Sequence, residues 1–149
     1  MPNEAFAWST RIKAVEREYT TARLAMNRLD QHAWEDPAVL AGDLRIRDIA
    51  TSSHRLEGTY IIRLFAEFET GLRQFLRAFK YRVPKSTEAL LNRVRDRVGI
   101  AKDDANNAHA VRHYRNALVH DREEPAQPVS VRDATRFLGL FMGWLQRHW

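Results

Sequence analysis

Between residues 53 and 81, large apolar side chains recur in alternating steps of four and three: Ile61, Phe65, Phe68, Leu72, Phe75 and Phe79. This spacing matches the helical turn and gives one continuous stripe, which Ile62, Leu64 and Leu76 widen. A helix this apolar belongs at the centre of a core. Val83-Pro84 ends it, because the residue before proline is steered away from helical backbone.

The rest of the chain follows the same period. Trp8, Ile12, Val15, Tyr19, Ala22, Met26 and Leu29 form a stripe on a long first helix, over about residues 5–33. Asp36-Pro37 reads as a cap and first helical position, starting a short helix to about Ala41, whereas residues 42–51 are ambiguous. Ser86 caps a helix over residues 87–98, with Gly99 as its stop. Asp103 or Asp104 starts the next, which runs to about Val119. Pro125 and Pro128 mark a loop, and Ser130 with Asp133 resembles a capping box. Ala134, Phe137, Leu138, Phe141 and Leu145 share one face of the last helix. No strand-like alternation and no internal repeat is present. The expectation is all-α: a bundle of five to six helices with a long N-terminal helix.

With 149 residues, 44% of them hydrophobic, the chain fits one domain over 1–149, with residues 1–50 as a helical extension whose packing the sequence leaves open. The first-helix stripe and the aromatic-rich end, Trp144 to Trp149, exceed what a small bundle readily buries and point to self-association. The longest nearly unbroken apolar run, residues 137–145, is far short of the roughly twenty residues of a membrane span. Met1-Pro2-Asn3-Glu4 has no basic patch leading into an apolar block, so no secretory leader is expected. The absence of cysteine removes disulfides, zinc–thiolate sites and a thiol nucleophile, and suits a cytoplasmic protein.

The net charge is +5, and only Lys13, Lys80, Lys85 and Lys102 of the 24 basic residues are not arginine. Arginine's planar fork suits phosphate, so nucleic acid is a candidate partner; the 19 interspersed acids fit a solvated helix surface equally well.

One segment carries candidate chemistry: His113-Tyr114-Arg115-Asn116-Ala117-Leu118-Val119-His120-Asp121. Histidine can exchange a proton near neutral pH, and arginine can hold a phosphate as charge builds in a transition state. Arg115 and His120 are five residues apart, about 500° of helical rotation, so their side chains start about 140° apart. They meet only if the helix ends near His120 or if two chains share the site. The bland alternative is that Arg115 pairs with an acid while His120 caps the last carbonyls of a helix.

The Arg115–His120 segment resembles the HEPN signature, an arginine and a histidine four to six residues apart with asparagine frequently after the arginine. The block Leu64-Phe65-Ala66-Glu67-Phe68-Glu69-Thr70-Gly71-Leu72-Arg73 looks like the central helix of such domains, which often bears an acid there. The resemblance covers roughly residues 55–149. It implies a helical bundle that dimerises with its motifs facing, and a metal-independent endoribonuclease activity, common in toxin–antitoxin and other defence systems. In that chemistry the RNA 2′-hydroxyl attacks the adjacent phosphate, leaving a 2′,3′-cyclic phosphate and a 5′-hydroxyl. Carried over, His120 is the acid/base or water-ordering group, Arg115 stabilises the phosphate, and Asn116 orients backbone or phosphate. Many members have a tyrosine just after the histidine; here Asp121-Arg122 follows. The implied partners are RNA, a second copy of the chain and a cognate antitoxin; no cofactor or metal is expected.

Glu69 is a candidate half-buried acid orienting Arg115 or His120, or else a local partner of Arg73 four residues on. Arg112 and His113 extend the candidate substrate-binding surface, or are merely solvated. His109 and His113 have helical metal-ligand spacing but no clear third ligand. Trp144 and Trp149 read as packing or interface residues. Two further readings stand beside the ribonuclease: a non-catalytic RNA- or nucleotide-binding module, and a structural bundle that mediates protein contacts.

Overall fold

A computed structural model describes residues 4–120 and 125–149. Met1 to Asn3, part of the segment read as lacking a secretory leader, and Asp121 and Arg122, after the motif histidine, lie outside the described residues. The fold is all-α: α1 (Glu4–Glu35), α2 (Ile46–Ala78), α3 (Thr87–Val98), α4 (Lys102–Val119) and α5 (Val131–Leu145), with one 3-10 turn at Pro37–Val39. Among the described residues, no helix is long and apolar enough to cross a membrane.

α2 is the central element. Its phenylalanines Phe65, Phe68 and Phe75 are buried, with Phe68 edge-on to Phe141 of α5 at 5.3 Å between centroids. The Asp36 side chain accepts from Ala38 N at 3.0 Å and sets the turn after α1, but the short helix expected there is a single 3-10 turn. α2 begins at Ile46, inside the stretch that the sequence leaves ambiguous, with the Asp48 carboxylate accepting from Arg45 N at 2.8 Å. Ser86 and Ser130 cap α3 and α5 as expected, and Gly99 ends α3 in the left-handed region, φ 77°. α4 starts at Lys102, one residue before Asp103, so that Asp103 and Asp104 sit in its first turn rather than at the cap.

The long α1 and the early start of α2 explain each other. The two helices run antiparallel: Trp8 lies against Gly71, the Glu18 carboxylate pairs with Arg63, Tyr19 packs on Tyr60, and Arg23 Nη1 donates to Ser53 O at 2.9 Å. Ala5, Trp8, Ile12 and Val15 enter the main core cluster. Beyond Val15 the α1 stripe is only partly covered, by the N-terminal half of α2, and Leu24, Trp34 and Leu44 are exposed. The aromatic end of the chain packs inward: Trp149 is edge-on to Phe75 at 5.5 Å, and Trp144 Nε1 donates to Asp104 Oδ2 at 2.8 Å.

Glu57 ties three elements together. From α2 it accepts from Tyr19 OH of α1 and from Val131 N, the first residue of α5, each at 3.0 Å. Residues 125–127, in the loop before α5, share a groove with Asn116 and His120 at the C-terminal end of α4.

Candidate functional site

The core face of α4 is built from small residues, Ala105, Ala108 and Val111. The helix therefore lies close to its neighbours and brings the longer side chains beside them into contact with α2 and α3. The helix stops at Val119. His120 is its C-cap, in extended backbone (φ −110°, ψ 118°), with its N–H still donating to Asn116 O at 2.9 Å. The 140° offset between Arg115 and His120 thus meets a helix end at the position where convergence requires one.

The side chains divide between two directions. Arg115 is half-buried, its guanidinium over the ring of Phe65 at 5.7 Å. Its Nη1 donates to Asn116 Oδ1 at 3.0 Å, and its buried Nε has no partner among the described residues. His120 is exposed and lines a groove of about 560 Å³ with His113, Asn116 and the loop residues Pro125, Ala126 and Gln127. Asn116 is the link, since it holds Arg115 on one side and lines the histidine groove on the other. His113 and His120 are seven residues apart, nearly two full turns, and so share one face.

Arg112 is on neither the phosphate surface nor the solvated exterior; it is only 7% exposed. Its Nε donates to His109 Nδ1 at 3.2 Å and its Nη2 contacts His113 Nε2 at 3.3 Å. A guanidinium only donates, so both imidazole nitrogens act as acceptors. His109 is then neutral with its proton on Nε2, which donates to Asn92 Oδ1 of α3 at 3.0 Å. Burial, and then the charge of Arg112, push the His109 pKa down. The nearest carboxylate to Arg112, Glu88 Oε2, stands at 4.0 Å on a side chain that is 65% exposed. His109 is therefore part of a structural chain from α3 to α4 and not a solvated residue. His113 is where that chain reaches the groove. No cluster of three His, Asp or Glu side chains able to hold a metal occurs among the described residues.

Glu69 is engaged locally. Its Oε1 accepts from Arg73 Nη2 at 2.8 Å and Nε at 3.0 Å, and Arg73 Nη1 donates onward to Pro84 O at 2.7 Å. The i,i+4 pair anchors the α2–α3 connection, and among the described residues no hydrogen bond or ion pair takes Glu69 to Arg115 or His120. Sequence reasoning missed Asn92, Glu88 and Glu57. For the first two a signal existed: they lie four apart beside the Leu90-Leu91 core face of α3, where a polar partner for α4 has to stand.

Compared with family models, curated proteins and solved structures, the chain matches none.

Proposed function

We propose that the chain is a metal-independent endoribonuclease of the HEPN kind, acting as a homodimer. The observation that supports this reading most is the end of α4 at Val119, which frees His120 from the helix and sets it in one groove with His113 and Asn116, while Asn116 holds Arg115. The reaction needs a base for the RNA 2′-hydroxyl proton, a cation for the pentacoordinate phosphate and an acid for the departing 5′-oxygen. His120 supplies proton transfer, and Arg115, swung from Phe65 with Asn116 as its guide, supplies the cation. A facing second copy brings the second imidazole, so that base and acid are separate groups. The same reading makes the protein a cytoplasmic toxin or defence effector, restrained by a cognate antitoxin.

The test is cleavage of single-stranded RNA in EDTA. The expected products carry 2′,3′-cyclic phosphate and 5′-hydroxyl ends, with cleavage abolished in His120→Ala and Arg115→Ala. Activity that survives both substitutions overturns the site.

One observation favours a second reading, a non-catalytic RNA- or nucleotide-binding module: the Arg115 guanidinium packs over Phe65, with its Nε buried. Salt-sensitive RNA binding without cleavage supports that alternative.

A further inference from the structure

Four glycines lie inside helices, where glycine lowers stability relative to alanine. Two have a reason within the chain. A Cβ at Gly71 would stand 3.0 Å from the Trp8 ring, and one at Gly58 would stand 3.1 Å from Leu118. Gly139 and Gly143 have no such reason, because a Cβ on either meets nothing within 4 Å. They are four residues apart on α5 and so share a face, and Thr135 precedes them on that face by another four. Thr135 is 7% exposed, and its Oγ1 has no hydrogen-bond partner among the described residues.

All three line a groove of about 870 Å³ between α1 and α5. Lys13 comes to it from α1, Arg132 and Arg136 from α5, and Arg147 from the turn just beyond α5. The acids there are Glu16 and Asp133, and Asp133 is already paired with Arg136 at 3.4 Å. The groove thus has an excess of positive charge, and Gly139 and Gly143 leave two gaps between the side chains of Thr135, Leu140 and Trp144 along its α5 wall. Ser130 also lines an adjoining depression with Tyr114 and Leu118, and residues 125–127 of the same loop wall the His120 groove.

We propose that the α1–α5 groove binds the sugar–phosphate backbone of a single nucleic-acid strand and leads it past the 125–130 loop to His120. This rests on the RNA-acting reading above. The two glycine gaps let a backbone come close to α5, and the arginines run from the first turn of α5 to just past its end, about 20 Å, room for several phosphates. A second copy of the chain fits this face less well. Antiparallel pairing of two α5 helices about Gly139 and Leu140 would bring Arg132 of each chain towards Arg147 of the other, just beyond the helix end.

The test is fluorescence anisotropy of a labelled oligonucleotide of roughly twelve residues at low salt. It is run as 2′-O-methyl RNA, which cannot be cut by 2′-hydroxyl attack, and as DNA of the same sequence. Gly139→Leu/Gly143→Leu fills the gaps and is expected to weaken both by about tenfold or more, with helicity and melting temperature at or above wild type. Arg136→Gln/Arg147→Gln, at exposed positions, is expected to reduce the slope of log Kd against log salt by about 1.4. Several results would overturn the proposal: no binding by the wild type, both folded variants binding as the wild type does, or weakening of RNA alone. A changed oligomeric state of the leucine variant with RNA binding intact would make the face a chain–chain interface instead. A wild type that binds strands but never cuts RNA leaves the groove standing and removes the ribonuclease. A wild type that cuts RNA, with variants that bind normally, does the reverse.

Discussion

Replacing Arg112 tests whether the α3–α4 contact is held by neutral hydrogen bonds or by an ion pair. Arg112→Ala removes a buried aliphatic stem and strands His109 Nδ1 without its donor. The stem and the cavity left behind cost about 2 kcal/mol, and the unsatisfied nitrogen about 1 kcal/mol more. For a domain of this size, a loss of about 3 kcal/mol lowers the melting temperature by roughly 6–12 °C. Arg112→Met keeps most of the stem and removes the bonds, and is expected to cost about 1–2 kcal/mol. Glu88→Gln is expected to cost under about 0.5 kcal/mol, because the carboxylate is 4.0 Å away on a largely exposed side chain. Urea unfolding followed by far-UV circular dichroism, at one protein concentration and neutral pH, gives all three values. A Glu88→Gln loss equal to that of Arg112→Met would refute the hydrogen-bonded strut, and an Arg112→Ala loss below about 1 kcal/mol would refute the burial itself.

Three further expectations follow from the packing. Burial and Arg112 hold the His109 pKa below its ordinary 6.5, so the unfolded chain takes up the proton first as pH falls; stability is full above 6.5 and declines below it. Melting temperatures taken from pH 7.5 to 5 are expected to fall more steeply for the wild type than for His109→Gln, and equal slopes count against the neutral imidazole. Gly71→Ala gains about 1 kcal/mol of helix propensity but presses a methyl group onto the Trp8 ring, for a net loss of about 1–2 kcal/mol by denaturant titration; a stabilised variant would mean that Trp8 moves freely. Glu57→Ala strands Tyr19 OH and Val131 N, costing about 2–3 kcal/mol. Its amide exchange is expected to rise first at the start of α5, and a uniform rise argues against Glu57 as the tie.

Much of this architecture was legible because it depends on local chemistry. The phenylalanine stripe of α2, the serines before α3 and α5, and Gly99 each act within a turn or two of their own position. The end of α4 falls at Val119, where it was expected, although Arg115 and His120 still point in different directions. The α2 start was not legible, because residues 46–52 are mostly polar and are held by α1, far away in sequence. Arg112 misled as well. It is only 7% exposed and bonded to the imidazoles of His109 and His113, and no apolar pattern within α4 announces that. Glu69 offered two readings, and proximity along one helix decided for Arg73.

The α1–α2 pair has consequences for how the molecule opens. Its inner end is keyed by Trp8 over Gly71 and shares the main core, whereas from Glu16 to Glu35 the only buried residue of α1 is Ala33. The outer end is fastened chiefly by polar side chains, Tyr19 to Glu57 and Arg23 to Ser53. Two stability regimes therefore coexist in one continuous helix. Amide protons of the outer arm are expected to exchange faster than those beside the phenylalanine core. Along one unbroken helix the hold on the rest of the molecule thus changes from apolar packing to polar side-chain bonds within about one turn of Tyr19.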